Sequence, residues 1–365
     1  MVEKNNRLPG NRFQPDYSVP PGVTLLETIE SLGMTQTELA ERTGRPKKTI
    51  NEIIKGKAAI TPETALQLEL VLGTSASFWN NLELNYRDSL ARAQAKERLE
   101  AHAAWLKQIP VNHMVKFNWI EKCPTMNEQL EEVLKFFGVA SPEAWDDIWG
   151  NLNVAFRQST AFESSPGAIA TWLRMGEIIA RKITCKPYKE SKFIRALEKI
   201  RLLTKESHEV FLPETERLCA EAGVAFVLIP EMPHCRVSGA THWLNRQKAI
   251  IQLSFRYKSD DHLWFTFFHE AGHIIHHSKD QVFLEGNGTT SDLEEQANLF
   301  AADFLIPPEE LGSFLRQSVT AHRVRRFAQR LGIAPGIVVG RLQHDGLIRY
   351  NQLANLKRRY EWVIQ

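Results

Sequence analysis

Cysteine is scarce in this chain: four residues in 365, at Cys123, Cys185, Cys219 and Cys235. None forms a CxxC pair, and their scatter excludes a disulfide framework. A reducing, cytoplasmic setting is the simplest expectation. Cys235 follows His234, but an isolated Cys/His neighbour pair reads as an ordinary thiol beside a loop. Long apolar runs are also missing, so no transmembrane helix is expected. Met1–Pro20 lacks the apolar core of a signal peptide and reads as a flexible arm. No internal repeat or low-complexity tract is visible. Nor is there an excess of one charge: 45 Lys and Arg stand against 43 Asp and Glu, a net +2. Whole-chain charge therefore does not mark a nucleic-acid binder, and local charge has to be read instead.

What is present is an ordinary globular composition, 43% hydrophobic and 24% charged, in a chain long enough for two or three domains. Composition shifts divide it into an arm (1–19), a helical module (20–85), a helical middle region (86–208) and a C-terminal domain (209–365). The expected class is α+β, mostly α. In the first module apolar residues recur at helical spacing through Leu25, Ile29, Leu39, Ile50, Ile53 and Leu68. In the middle region Tyr86–Lys107 and Met126–Phe137 read as amphipathic helices, and Trp145, Trp149, Phe156 and Trp172 as core. Near residue 209 the pattern changes. Val224–Ile229 and Ala249–Ser254 read as strands and Arg236–Trp243 as a third, giving a small antiparallel sheet. Asp261–His277 and Asp292–Phe304 read as helices, the second stopped by Pro307-Pro308. The last 45 residues read as helical and basic.

The sharpest pattern is His269-Glu270-Ala271-Gly272-His273. Histidines at i and i+4 share one helix face and can hold one ion, while Glu270 can reach an activated water as general base without ligating. Neutral imidazoles, an open position and a nearby base are what zinc hydrolysis requires. Trp264–Phe268 makes the helix apolar, so its polar residues need a reason to be buried, since unpaired groups cost roughly 1–3 kcal/mol each. A third ligand is expected from the second helix. Glu294 continues through Ala297, Asn298, Ala301 and Leu305, small residues that let helices approach. Asn298 could then hold the far side of a ligating histidine. Glu295, facing Leu299 and Ala302, is the alternative register. His276 and His277 add one turn, either to polarise a substrate carbonyl or to bond backbone at the helix end.

A second pattern lies upstream. Thr35 caps Gln36–Thr43, with Glu38 placed for a capping box. Gly44 supplies a left-handed turn, and Pro46 opens Lys47–Ile54. Helix, glycine turn and second helix form a DNA-reading arrangement. Residues 41–57 carry six basic and two acidic residues, a local +4. Gln36, Arg45, Lys47, Lys48, Thr49, Asn51 and Lys55 are the candidate DNA contacts.

At these residues two resemblances appear. Residues 20–85 resemble the HigA/VapI group of helix-turn-helix antitoxins, through Gly33-Met-Thr-Gln-Thr-Glu-Leu-Ala, Ile50-Asn-Glu-Ile-Ile-Lys-Gly-Lys, Ile60-Thr-Pro-Glu-Thr-Ala-Leu and Leu72-Gly-Thr-Ser-Ala-Ser-Phe-Trp. Arg45 and Pro46 depart from that group's usual small apolar residue and Ser. This resemblance implies a five-helix, lambda-repressor-like fold, a homodimer, operator DNA and a toxin partner. Residues 209–345 resemble the ImmA/IrrE zinc metallopeptidases, through the HExxH helix, Glu294-x-x-Ala-Asn-x-Phe-Ala-Ala, Phe304-Leu-Ile-Pro (in place of Leu-Met-Pro) and Phe327-Ala-Gln-Arg-Leu-Gly-Ile-Ala-Pro. It implies a zincin-like domain with Zn2+ on His269, His273 and Glu294, Glu270 as catalytic base, and a regulatory protein, often a repressor, as substrate. Three readings follow. The chain is a DNA-binding regulator with a working peptidase, a regulator whose zinc domain is structural or sensory, or a peptidase that docks proteins through its helix-turn-helix.

Overall fold

The computed structural model describes residues 19–100, 102–150, 165–254, 256, 258–277, 283–285 and 292–361. The expected arm, Val19 apart, and Phe156 lie outside the described residues. The chain forms two compact units, Met1–Ala101 and His102–Gln365.

The first unit is five helices: α1 (Pro21–Ser31), α2 (Gln36–Thr43), α3 (Lys47–Ile54), α4 (Pro62–Leu72) and α5 (Ala76–Glu100). Local signals set the ends. Thr35 accepts from the Glu38 amide at 3.2 Å, and Gly44 ends α2 at φ 65°, a conformation glycine adopts without a Cβ penalty. The expected capping box is only half made: Glu38 turns its carboxylate to Arg42, 2.6 Å away at i+4. Leu25, Ile29, Leu39, Ile50, Leu68 and Trp79 fill the core. Helix α5 runs straight through residue 85, where composition had suggested a boundary.

In the second unit, α6 (Val111–Lys116), α7 (Met126–Phe137), α8 (Pro142–Trp145), α9 (Pro166–Lys182), α10 (Glu190–Leu203) and α11 (His208–Ala222) precede the sheet. Trp145, Trp149 and Trp172 are core, as expected. The sheet holds β1 (Val224–Leu228), β2 (Gly239–Asn245), β3 (Lys248–Leu253) and β4 (Phe283–Glu285), in the order β1-β3-β2-β4. The expected antiparallel sheet is in fact mixed. β2 and β3 form a hairpin, and β3 returns beside β1, so β1 and β3 run parallel, Val224 opposite Ala249. The connection from β1 to β2 carries the chain past the place β3 later fills, which forces that direction. No described helix is long and apolar enough to cross a membrane.

Across one face of the sheet lies α12 (Asp260–His276). It is followed by α13 (Asp292–Leu305), α14 (Pro308–Leu315), α15 (Ala321–Leu331) and α16 (Pro335–His344). The first turn of α12 is packed so tightly that Gly336 and Gly340 of α16 leave no room for a methyl against the Asp260 and Asp261 carboxylates. Lys357 pairs with Asp261 at 2.6 Å. Burial, and then the charge of Asp261, push the Asp260 carboxyl from 3.8 up to about 7. A raised carboxyl value makes ionisation costly to the fold, so this group's penalty grows as pH climbs from about 4 through 7. Asp260→Asn is therefore expected to raise the melting temperature over the parent by more at pH 8 than at pH 5, at about 2–4 °C per kcal/mol. Equal gains at both pH values would show that the group does not titrate in the native chain.

Candidate metal centre and nucleic-acid interface

One turn of α12 separates His269 and His273, so both rings leave the same face, with their Nε2 atoms 3.0 Å apart. Helix α13 brings in Glu294, whose oxygens lie 3.1 Å from His269 Nε2 and 3.5 Å from His273 Nε2. The three donor atoms lie within 4.8 Å of one another, and all three residues are buried. Gly272 allows this approach: a methyl there would stand 3.3 Å from Ala297 Cα and 3.1 Å from Phe300 Cδ1. On α13 the buried face is Glu294, Ala297, Ala301 and Leu305. Glu295 points to solvent.

The outer ring nitrogens are also engaged. His269 Nδ1 lies 2.9 Å from Asn298 Oδ1. An amide oxygen only accepts, so this contact calls for a proton on His269 Nδ1. His273 Nδ1 meets His277 Nδ1 at 2.7 Å, while His276 packs against Phe300. Burial raises the Glu294 carboxyl, but hydrogen bonds from His269 and His273 and their charges outweigh it and hold it at about 2. Burial is also the main cause that lowers His273. His273 is thus pushed toward its neutral form and the Glu294 carboxyl held ionised, the forms in which each donates to a metal ion. His234 and Cys235 join no such group among the described residues.

Glu270 is fully buried beside the triad. It rides over the start of β2, where Thr241 Oγ1 donates to the Glu270 carbonyl at 3.2 Å. A methyl on Gly239 would sit 2.5 Å from Glu270 Oε1. The bare backbone at that position is what gives the carboxylate its space.

In the first unit, Lys47, Lys48 and Lys55 are exposed, and Gln36, Thr49 and Asn51 are half-buried along the same helix pair. Ile50 and Ile53 anchor α3 from beneath. Lys48 lies 3.8 Å from Glu52. Arg45 is tied down, its Nε donating to Gln67 Oε1 at 2.7 Å.

Residues 25–79 match the helix-turn-helix family and residues 234–343 the IrrE N-terminal-like domain, a peptidase M78 family. The uncharacterized HTH-type transcriptional regulator YddM of Escherichia coli (strain K12) is 35% identical over 74 residues, 20% of this chain and 77% of that one. Virulence-associated protein A of Dichelobacter nodosus is 34% identical over 82 residues, 22% of this chain and 80% of that one. The chain belongs to the helix-turn-helix regulators and carries an IrrE N-terminal-like domain. Among solved structures, a HigA-family addiction module antidote protein from Coxiella burnetii is 30% identical. It covers 23% of this chain and 92% of its own, with a TM-score of 0.22.

In this regulator, two features of the centre had no signature in the sequence. His277 is a partner of His273, a role neither reading of the two C-terminal histidines contained. Gly239, thirty-one residues before Glu270, is placed under its carboxylate only by the sheet. On the DNA side, Lys47→Ala with Lys48→Ala is expected to weaken operator binding and flatten the slope of log K against log salt by about 2, since each phosphate contact contributes roughly 0.9. Thr49→Ala or Asn51→Ala is expected to change base preference instead. A gel-shift series unaltered by all four changes would assign the face to protein docking.

Proposed function

We propose that this regulator binds operator DNA as a homodimer in the cytoplasm, and that its second unit is a zinc endopeptidase acting on a regulatory protein, either a repressor or a cognate toxin. The observation that carries the catalytic part is Glu270, buried beside His269, His273 and Glu294 with Gly239 cleared beneath it. A metal held only for shape is closed by four protein ligands, whereas three donors with a non-ligating carboxylate beside them suit a site that keeps a position open for water. The donor set of two imidazole nitrogens and one carboxylate oxygen fits zinc and leaves a position for substrate. Bound there, zinc would supply Lewis acidity toward a peptide carbonyl and toward water.

The protein's own part is positional. Asn298 and His277 hold the two imidazoles in register from behind. Glu270 accepts a proton from the attacking water and returns it to the departing amine. The buried surroundings keep bulk water from competing for that carboxylate. The deciding experiment joins metal analysis of purified protein with operator binding and target stability, each measured with and without chelator. One zinc per chain and chelator-sensitive loss of target support the peptidase. Chelator-sensitive DNA binding with an intact target supports a sensory metal instead.

A further inference from the structure

The second unit carries a charge distribution that its metal centre does not use. From Leu311 to His344 there are six arginines and two histidines, and no Asp or Glu in 34 residues. Extended to residues 316–361, ten Lys and Arg stand against two Asp and Glu, a net +8 within a chain of net +2. The fold sorts these cations. Arg323 is structural, donating to the carbonyls of Phe314 and Ser318, and Arg330 and Arg341 are matched by Glu310 and Asp345. Arg316, Arg325 and Arg326 are exposed, and none of them makes an ion pair among the described residues. Val324, Phe327 and Ala328 bury the opposite face of α15. The helix therefore offers His322, Arg325, Arg326 and Gln329 to solvent at i, i+3, i+4 and i+7.

We infer that the exposed face of α15, with Arg316 at its entry, is a phosphate-backbone contact for duplex DNA, separate from the reading head in the first unit. The chemistry favours phosphate. Leu311–His344 holds six Arg and no Lys, the Arg fork matches phosphate oxygens, and Gln329 and His322 add hydrogen-bond donors. The geometry excludes base reading. Helices α15 and α16 repeat the helix, glycine turn, proline-led helix pattern of α2 and α3, with Gly332 at φ 72° against Gly44 at φ 65°. In the first unit the second helix of the pair is exposed. Here Ile337, Val338, Val339 and Leu342 bury it, so only the first helix faces outward. Duplex DNA is the occupant on the reading proposed above, in which the first unit is a helix-turn-helix DNA binder. A second contact tethered to the first acts at high effective concentration even when its own affinity is weak.

The test uses the full chain and a fluorescent 30-base-pair duplex lacking any operator, with affinity measured by anisotropy across a salt series. Arg316→Ala/Arg325→Ala/Arg326→Ala should lower the log K against log salt slope by about 2–3 and weaken binding at low salt at least tenfold. Metal content and melting temperature serve as fold controls. The three corresponding Lys substitutions should restore most of the slope. In the Lys47→Ala/Lys48→Ala background, which weakens the first unit, salt-sensitive binding should survive, and its slope should fall further, by about 2–3, when the three arginines are removed. An unchanged slope in the triple variant overturns the proposal. So does an equal slope with and without the three arginines in the Lys47→Ala/Lys48→Ala background, or a stronger preference of this face for single-stranded RNA or polyglutamate than for duplex DNA. Because the Lys47/Lys48 arm is measured separately, failure of the first unit as a DNA binder would be seen as such.

Discussion

Replacing Glu270 by Gln is expected to reduce cleavage of the target protein by roughly 10²–10⁴-fold, the usual contribution of a positioned general base. The amide keeps the size and polarity of the side chain, so Gly239 still accommodates it and α12 still packs. Zinc content should stay near one per chain, because Glu270 is not among the three converging donors. Operator affinity should also stay near that of the parent. The measurement is the half-life of the target in cells under the inducing stress, alongside metal analysis and a gel shift. A regulator that still responds fully in Glu270→Gln, but fails in His269→Ala, would work by metal sensing and not by hydrolysis.

The second large effect is on metal retention. Glu294→Ala removes one of three donors and is expected to weaken zinc binding by more than the roughly 10–100-fold typical of losing an outer hydrogen-bond partner. Asn298→Ala should fall within that 10–100-fold band, since it frees His269 to rotate without deleting a donor. Glu295→Ala should leave retention unchanged, as its side chain faces solvent. Competition against a chromophoric chelator gives the ranking directly. If Glu295→Ala loses more metal than Glu294→Ala, α13 is rotated from the register described here. His269→Ala with His273→Ala should strip the protein of zinc outright.

The helical parts of the centre were legible because helices repeat on a short period. Glu294, Ala297, Ala301 and Leu305 share a face by arithmetic alone, and that face is the buried one. The helix from Met126 to Phe137 was readable from its amphipathic period, and in the fold Thr125 and Glu128 form a full capping box at its start while Gly138 ends it. Sheet features were less so. Nothing in the composition of β1 states which neighbour it will choose, because that depends on where the 229–238 connection crosses. Strand β2 begins at Gly239, three residues later than the run from Arg236 suggested. Its closeness to Glu270 is a tertiary fact with no local mark. Helix α5 passes residue 85 because residues 76–100 contain neither Gly nor Pro, a continuity that the composition shift taken as a boundary obscured. The choice between Glu38 reaching back to Thr35 and forward to Arg42 turned on an ion pair that capping rules alone do not weigh.

Gly272 offers no ligand, base or charge, yet it fixes how near α13 can come to α12. In a genetic screen for regulators locked in one state, it should therefore appear among the hits together with Gly239. These would be missense alleles at residues that do no chemistry, one acting by prising Glu294 away from the histidines and the other by crowding Glu270. Their phenotypes would separate cleanly. The Gly272 alleles would respond to added zinc in the medium, because their defect is affinity. The Gly239 alleles would not, because their metal is already in place.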